Sequence, residues 1–600
     1  MYSKHKDTLP EQTIQRIQTI LKELEIEPTI KLLKNTKDIY SAYLVDHKHG
    51  WHVNGKGTTE TYCMASAYGE SMERLQAYYI YSRPEHQNPE PGDEFMLYPD
   101  EKIRDTAHCK SDYPFIYEEL RAAYALEQNR NVAEISDEEL DAFLPEFFTN
   151  SAVSVPYYGL AEDEIVYLPE QMISSLCGSN GLSAGNTPYE ALNQGISEIL
   201  ERHVKRHIFQ NGYTPPEIPK TFLKEKMPEL YETISQIESM GPYKIVLKDA
   251  SLGIGMPVIG ALFVDYQNQR YHSKFGASFS IYVAIERCLT ELFQGFDLQN
   301  PSSHLEFMTR WDVAYSENWE NPDNQKSQLT SDTGSVPITY MAGANSWEFK
   351  EWDLCEGYGK SYFDNKQALS FMIEKLRYFE SHIYIRSYSF LGFPTYRIFV
   401  PGVSTTHLPL GPKRLQHKKE KNCIQILKQY PVVKLNQETL DNCFHYLTTG
   451  NDFLFDTFDN VAPEAVQAIF YYCYQQTDKA IASLRSLTKK IDAKKYDCAA
   501  MELELQEIGM DVASRDQLLH LFFEEKYVKF AKRAFRKEEG RQDYTYLIDR
   551  VIDPQGKKIF SPQSHLDPSA RAKMHITMRN KMRENMPNQA EVKKLFQILV

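Results

Sequence analysis

Short apolar runs rich in β-branched residues occupy 244–248, 258–264 and 396–400, while 281–296 and 368–381 carry apolar residues at three- and four-residue spacing. The first pattern predicts strands and the second predicts helices, because strand side chains alternate between faces and a helix returns to one face every 3.6 residues. Residues 1–405 therefore read as mixed α and β. The strip 408–422 (LPLGPKRLQHKKEKN) is polar, basic and broken by Pro and Gly, which predicts a linker. Beyond it, 463–490 and 499–536 show helical spacing without comparable strand signals. The expectation is an α+β first domain over 1–415 and a mainly α-helical C-terminal domain over 416–600, with the polar, proline-punctuated stretch from 553 partly loose.

An internal repeat sharpens this picture. GTTETYCMASAYGESMER, from Gly57, aligns without a gap on GNTPYEALNQGISEILER, from Gly185, at an offset of 128; the copies share the opening Gly, a Thr at the third position and a closing Glu-x-x-Glu-Arg. Two like helices with like charged ends predict pseudo-symmetric halves. A looser third relative begins at Gly276 and carries Arg287, Glu291 and Gln294.

Composition changes the picture only by exclusion. Hydrophobic residues make up 42% and charged residues 25% of 600, an ordinary globular balance. No apolar run approaches the roughly 20 residues of a spanning helix, the start MYSKHKDTLPEQ has no signal-peptide core, and the nine cysteines show no Cys-x-x-Cys pair. A cytoplasmic protein with reduced thiols and no membrane partner is expected. The formal charge is −15, and from residue 421 onward there are 27 Lys and Arg against 24 Asp and Glu, so the acid excess lies wholly in the first part. Direct nucleic-acid binding is not expected there, since phosphates need a basic surface.

On a helical wheel Ser66, Glu70, Glu73 and Arg74 share one face, opposite Met64, Tyr68 and Met72. In the second copy Glu190, Gln194, Glu198, Glu201 and Arg202 share a face, opposite Leu192, Ile196, Ile199 and Leu200. If the helices converge, Glu70, Glu73, Glu198, Glu201 and Glu291 crowd one space, and like charges at close range either raise a pKa or demand a cation. All-oxygen donors point to Mg2+ over Zn2+, with phosphate completing the shell and Arg74, Arg202 and Arg287 facing its oxygens. Other signals are weaker. Gly50 to Lys56 spells G-x-x-x-x-G-K, but Gly57 stands where a P-loop needs Ser or Thr; GLSAGN at 181–186 precedes the second glutamate helix and suits an anion or an ordinary cap; His203 and His207, His47, His49 and His52, and Gly253-x-Gly255 read as polar surface and turns.

At SNGLSAGNTPYEALNQGISEILERHVKRHI (179–208) the sequence resembles the YcaO family, and GKGTTETYCMASAYGESMERL (55–75) and VAIERCLTELFQG (283–295) resemble the family's other nucleotide-site segments. KDASLGIGMPVIGALF, FGAS and YRIFVPGVS extend the likeness to about residue 405. The resemblance implies a YcaO-type nucleotide-binding domain, with pseudo-symmetric glutamate helices packed on β-sheets, that hydrolyses ATP with Mg2+ to activate an amide carbonyl. Carried over by motif, Glu70, Glu73, Glu198, Glu201 and Glu291 hold the metal; Lys6, Thr13, Ser183, Asn186, Glu190, Arg202 and Arg287 contact nucleotide, the two arginines acting in catalysis. Azoline-forming relatives end in a Pro-rich tail; this chain ends KKLFQILV, without Pro-x-Pro-x-Pro. The nearer likeness is to the stand-alone type, an accessory factor for β-methylthiolation of a small-subunit ribosomal protein by the methylthiotransferase RimO, expected as a homodimer. A peptide cyclodehydratase or thioamide-forming enzyme of a ribosomal natural-product pathway, and a non-catalytic scaffold, are the alternatives.

Overall fold

The computed structural model describes residues 6–36, 38–77, 95–105, 113–127, 130–143, 151–294, 308–310, 336, 338–350, 364–406, 468, 471–472, 476–487, 494–535 and 568–597. Two compact units emerge, one of residues 1–409 with 566–600 and one of 410–565. In the first, helix α1 (Pro10–Glu23) precedes a meander of β1 (Thr29–Thr36), β2 (Ile39–Asp46) and β3 (Trp51–Gly57), followed by α2 (Glu60–Gln76). Asp46 fixes the β2–β3 turn: its Oδ1 accepts the N–H of Lys48 and His49, and Oδ2 meets His49 Nδ1 at 2.6 Å. The P-loop-like stretch is thus a strand of this hairpin, and no phosphate loop exists there.

The largest sheet joins β4 (Lys102–Asp105), β5 (Ser151–Gly159), β6 (Glu164–Pro169), β7 (Leu182–Ala184), β12 (Tyr384–Ser387) and β13 (Thr395–Phe399), in the order β4-β5-β12-β13-β7 with β6 also on β5. The third sheet is β11-β10-β9-β8, from β8 (Tyr243–Asp249), β9 (Val258–Asp265), β10 (Arg270–Ala277) and β11 (Thr309–Arg310); the pairs in all three sheets are antiparallel. Strand β9 explains its own unbroken apolar run. Val258 and Leu262 join one core, with Leu192, Ile196, Ile199 and Leu200 of α3 (Pro188–Gln210). Ile259, Ala261 and Phe263 join the other, with Ile285 and Leu289 of α4 (Ile281–Leu292). A strand buried on both faces has no polar side to alternate with.

The predicted strands fall on β8, β9 and β13, and the helix predicted over 368–381 on α5 (Asn365–Arg377). Helix α4 stops at Leu292, short of the expected 296, which lies outside the described residues together with the linker 408–422. In the second unit the described part of 463–490 is α6 (Thr477–Leu487), and the single helix expected over 499–536 is broken into α7 (Lys494–Glu507), α8 (Val512–Phe522) and α9 (Glu525–Phe535). Gly509 at φ 75 ends α7, and Asp511 caps α8 by accepting the Ser514 N–H at 3.0 Å. Of the stretch from 553, expected to be partly loose, 553–567 lie outside the described residues, and α10 (Pro568–Asn585) and α11 (Ala590–Gln597) are regular helices. They also belong with the first unit, whereas the sequence suggested a second domain running to residue 600. Val592 and Phe596 enter the α3 core. Gln589 accepts the Ser387 N–H at 2.8 Å and donates to its carbonyl at 3.0 Å. Among the described residues no helix is long and apolar enough to cross a membrane.

Candidate functional site

Each glutamate helix is pressed onto the strand before it by a glycine. A Cβ on Gly57 would stand 2.5 Å from Cys63 N and one on Gly185 2.6 Å from Ala191 N, contacts at equal spacing in the two copies. On Gly276 it would stand 2.5 Å from the Ala284 carbonyl of α4. Thr59 and Thr187 cap α2 and α3 in the same way, accepting the N–H of Tyr62 and Glu190 at 3.2 Å. The repeat in the sequence is therefore a repeat in space, and it aims α2, α3 and α4 at one cavity of about 490 Å3.

Glu70, Glu73, Glu198, Glu201, Glu291, Arg202 and Arg287 all line that cavity, as do Lys6, Thr13, Asn186 and Glu190. The last four form one hydrogen-bonded group. Lys6 Nζ lies 3.1 Å from Glu190 Oε1, Thr13 Oγ1 donates to Asn186 Oδ1 at 2.8 Å, and Asn186 Nδ2 donates to both Glu190 oxygens at 3.1 Å. Burial works to raise the Glu190 carboxyl, and Lys6, the Asp7 N–H and Asn186 outweigh it and hold it below the ordinary carboxylate range.

Ser183 alone among the expected residues lies off the cavity wall. It is fully buried beneath α3, where a Cβ on Gly195 would meet its Oγ at 2.8 Å. In the first copy the equivalent seam is Gly55 against Ala67, whose N a Cβ on Gly55 would meet at 2.7 Å. The small residue has changed sides between the copies. Ser183 thus packs in the strand–helix seam, off the wall that the other expected residues line.

The acidic residues keep company with cations. Arg74 lies 3.6 Å from Glu70 and 3.4 Å from Glu73, Arg202 lies 3.2 Å from Glu198, and Lys56 pairs with Glu291. Arg287 donates to the Ala277 carbonyl at 2.7 Å and to Gln194 Oε1. Burial pushes Glu73 up to about 8 and Glu286 up to about 7, against the pull of Arg74 and Arg287 respectively. Among the described residues no three acidic, His or Cys side chains stand close enough together to enclose a metal ion, so the expected convergence of five glutamates is a shared wall and not a closed cage.

Residues that helical-face reasoning did not single out also line the cavity. Glu286 and Thr290, one turn apart, immediately precede Arg287 and Glu291, so the α4 face carried a signal for them. Phe393 reaches the wall from the β12–β13 connection and had none. The histidines do not join. His203 packs 4.3 Å from the Phe379 ring and takes an Arg206 hydrogen bond at 3.0 Å, and burial drives its pKa down to about 3, which leaves a neutral ring. Gly253 and Gly255 sit at φ 69 and 70 in the β8–β9 turn.

Residues 54–404 match the family profile described as YcaO cyclodehydratase, ATP- and Mg2+-binding. The chain belongs to the YcaO family. It is 31% identical over 359 residues to an uncharacterised protein of Haemophilus influenzae (58% of this chain, 57% of that one). It is 30% identical over 404 residues to the ribosomal protein S12 methylthiotransferase accessory factor YcaO of Escherichia coli K12 (66% of this chain, 65% of that one). The chain thus spans 57% and 65% of the length of these relatives. Similar solved structures are a heterocyclase in complex with substrate and cofactor (17% identity, TM-score 0.45, 66% of this chain and 53% of that one) and the YcaO of Methanopyrus kandleri bound with AMPPCP and Mg2+ (18%, 0.42, 67% and 92%).

As a YcaO protein the chain takes ATP and Mg2+ as cofactors. The wall suits them. Its acidic and basic residues are seven glutamates against two lysines and three arginines, with no His or Cys, which is an oxygen-only donor set carrying the formal charge excess that a hard divalent ion offsets. At Gly69, in the middle of α2, an added Cβ would meet nothing within 4 Å, so the helix leaves backbone bare towards the cavity.

Proposed function

We propose that this YcaO protein uses ATP and Mg2+ to activate an amide carbonyl of a protein or peptide, and that it serves as an accessory factor for β-methylthiolation of a small-subunit ribosomal protein. The carrying observation is the meeting, on one wall, of the repeated Glu-x-x-Glu-Arg ends of α2 and α3 with the Lys6–Glu190–Asn186–Thr13 hydrogen-bonded group. The 30% identity to the accessory factor of Escherichia coli supports the physiological role. RimO and the ribosomal protein are the partners on this reading, and the assembly is a homodimer. A peptide cyclodehydratase is the second reading, favoured by the family's description.

Glu70, Glu73, Glu198, Glu201 and Glu291 would hold Mg2+, and Lys6, Thr13, Asn186 and Glu190 would orient the nucleotide. When bound, ATP and its metal supply an electrophilic phosphoryl group that turns the amide oxygen into a leaving group. Arg202 and Arg287 place guanidinium donors beside the carboxylates, where they offset charge that develops on phosphoryl oxygens. Glu190, held ionised and hydrogen-bonded, keeps Lys6 and Asn186 in place.

Calorimetric titration of the full chain with AMPPCP, with and without Mg2+, tests this alongside Glu198→Gln. Binding that needs Mg2+ and weakens at least tenfold in the variant is expected; equal binding by a folded variant would overturn the site assignment.

A further inference from the structure

Strand β3 closes on Gly55-Lys56-Gly57. The glycines face α2, where a Cβ on either would lie 2.4 to 2.5 Å from backbone atoms of Cys63. Side chains alternate along a strand, so Lys56 turns away from α2 and pairs with Glu291 of α4. The pairing answers an asymmetry among the three helices. Glu70 and Glu198 each have an arginine one turn on, in their own helix, as neutralising partner. Glu291 has no such arrangement: Arg287, one turn back, gives its two ends to the Ala277 carbonyl and Gln194. Its cation comes instead from a strand of another sheet. In the second copy the position of Lys56 is taken by Ala184, which lines the same cavity, so only the first copy brings a cation there.

We propose that Lys56 is a resident cation of the carboxylate wall, one that neutralises Glu291 until Mg2+ takes that carboxylate and then swings to the phosphates of the nucleotide. An ammonium suits such an exchange better than a guanidinium, being a compact charge on a flexible four-carbon stem that needs no planar, bidentate partner. The pair has room to part, with 36% of the Lys56 side chain and 21% of the Glu291 side chain exposed on the wall. The inference rests on the ATP and Mg2+ reading of the cavity.

It predicts changes of opposite sign. In the full chain, Lys56→Met should tighten binding of Mg2+ alone about tenfold, since the ion no longer competes with an ammonium, and weaken binding of AMPPCP at saturating Mg2+ about tenfold, both read by calorimetry. A Mg2+ affinity that stays the same or falls, or an unchanged AMPPCP affinity, would overturn the exchange while leaving the nucleotide site intact; a wild-type chain that binds neither probe would overturn both. A test that does not depend on the variant's folding follows the Lys56 ammonium of the wild-type chain by 15N NMR. Its signal should move on addition of Mg2+ and again on addition of AMPPCP, and a signal that ignores Mg2+ overturns the exchange.

Discussion

Residue 195 is glycine and residue 67 alanine, although the two occupy equivalent points of a repeat, because each must fit the residue opposite it: Ser183 in one seam and Gly55 in the other. Gly195→Ala alone should destabilise the protein by about 1 to 3 kcal/mol through overpacking against Ser183. Ser183→Gly added to it should recover much of that loss, as a double-mutant cycle in urea would show. Additive losses would mean that the seams are not equivalent. His203 supplies a pH dependence. Its folded pKa is depressed to about 3 while an unfolded histidine titrates near 6.5, so between these values the unfolded chain binds more protons and stability falls with falling pH. The loss should be on the order of 1 to 2 kcal/mol by pH 5, and His203→Gln should remove it from the difference between urea midpoints at pH 7 and pH 5.

Helix boundaries and partners belong to the next scale. The spacing of apolar residues through 499–536 is helical throughout, and what divides it is a left-handed glycine and an Asp cap, both local signals outvoted by the periodicity around them. Helices α10 and α11 were hidden for the opposite reason: their proline-marked polar sequence has few apolar residues, of which Val592 and Phe596 of α11 join a core of the first unit. Gln589, just before α11, satisfies both backbone groups of buried Ser387 at the end of β12. The connection that follows is held by Gln76 at the end of α2, which donates to the Phe393 carbonyl at 2.8 Å and accepts the Leu391 N–H at 2.7 Å. Gln589→Ala leaves two buried backbone groups unpartnered and should cost about 2 kcal/mol or more, lowering the thermal midpoint. A midpoint within error of wild type would show that the two Gln589 hydrogen bonds add nothing net to the stability of the first unit.

For the whole molecule, a wall of seven glutamates and five cations makes folding and ligand binding one problem. A nucleotide with Mg2+ that binds only the folded chain should stabilise it by about 2.7 kcal/mol at 100 times its Kd. Differential scanning calorimetry should show the rise with both ligands together and much less with either alone. Equal stabilisation by Mg2+-free nucleotide would mean that the carboxylates do not hold the ion.

The sequence by itself determined the family, the ATP and Mg2+ dependence that comes with it, and which helical faces carry the charge. Those properties are written in residues within a turn or two of one another, and a repeat at a fixed offset reports them twice. Tertiary structure alone decided that Ser183 packs in a seam, that Lys56 meets Glu291, that Phe393 reaches the cavity, and that the last helices return to the first unit. Each of these depends on which segments tertiary packing brings side by side; Lys6 and Glu190, 184 residues apart, meet where the Asp7 N–H, Thr13 and Arg16 tie the N-terminal segment to Glu190 and Asn186 at the start of α3.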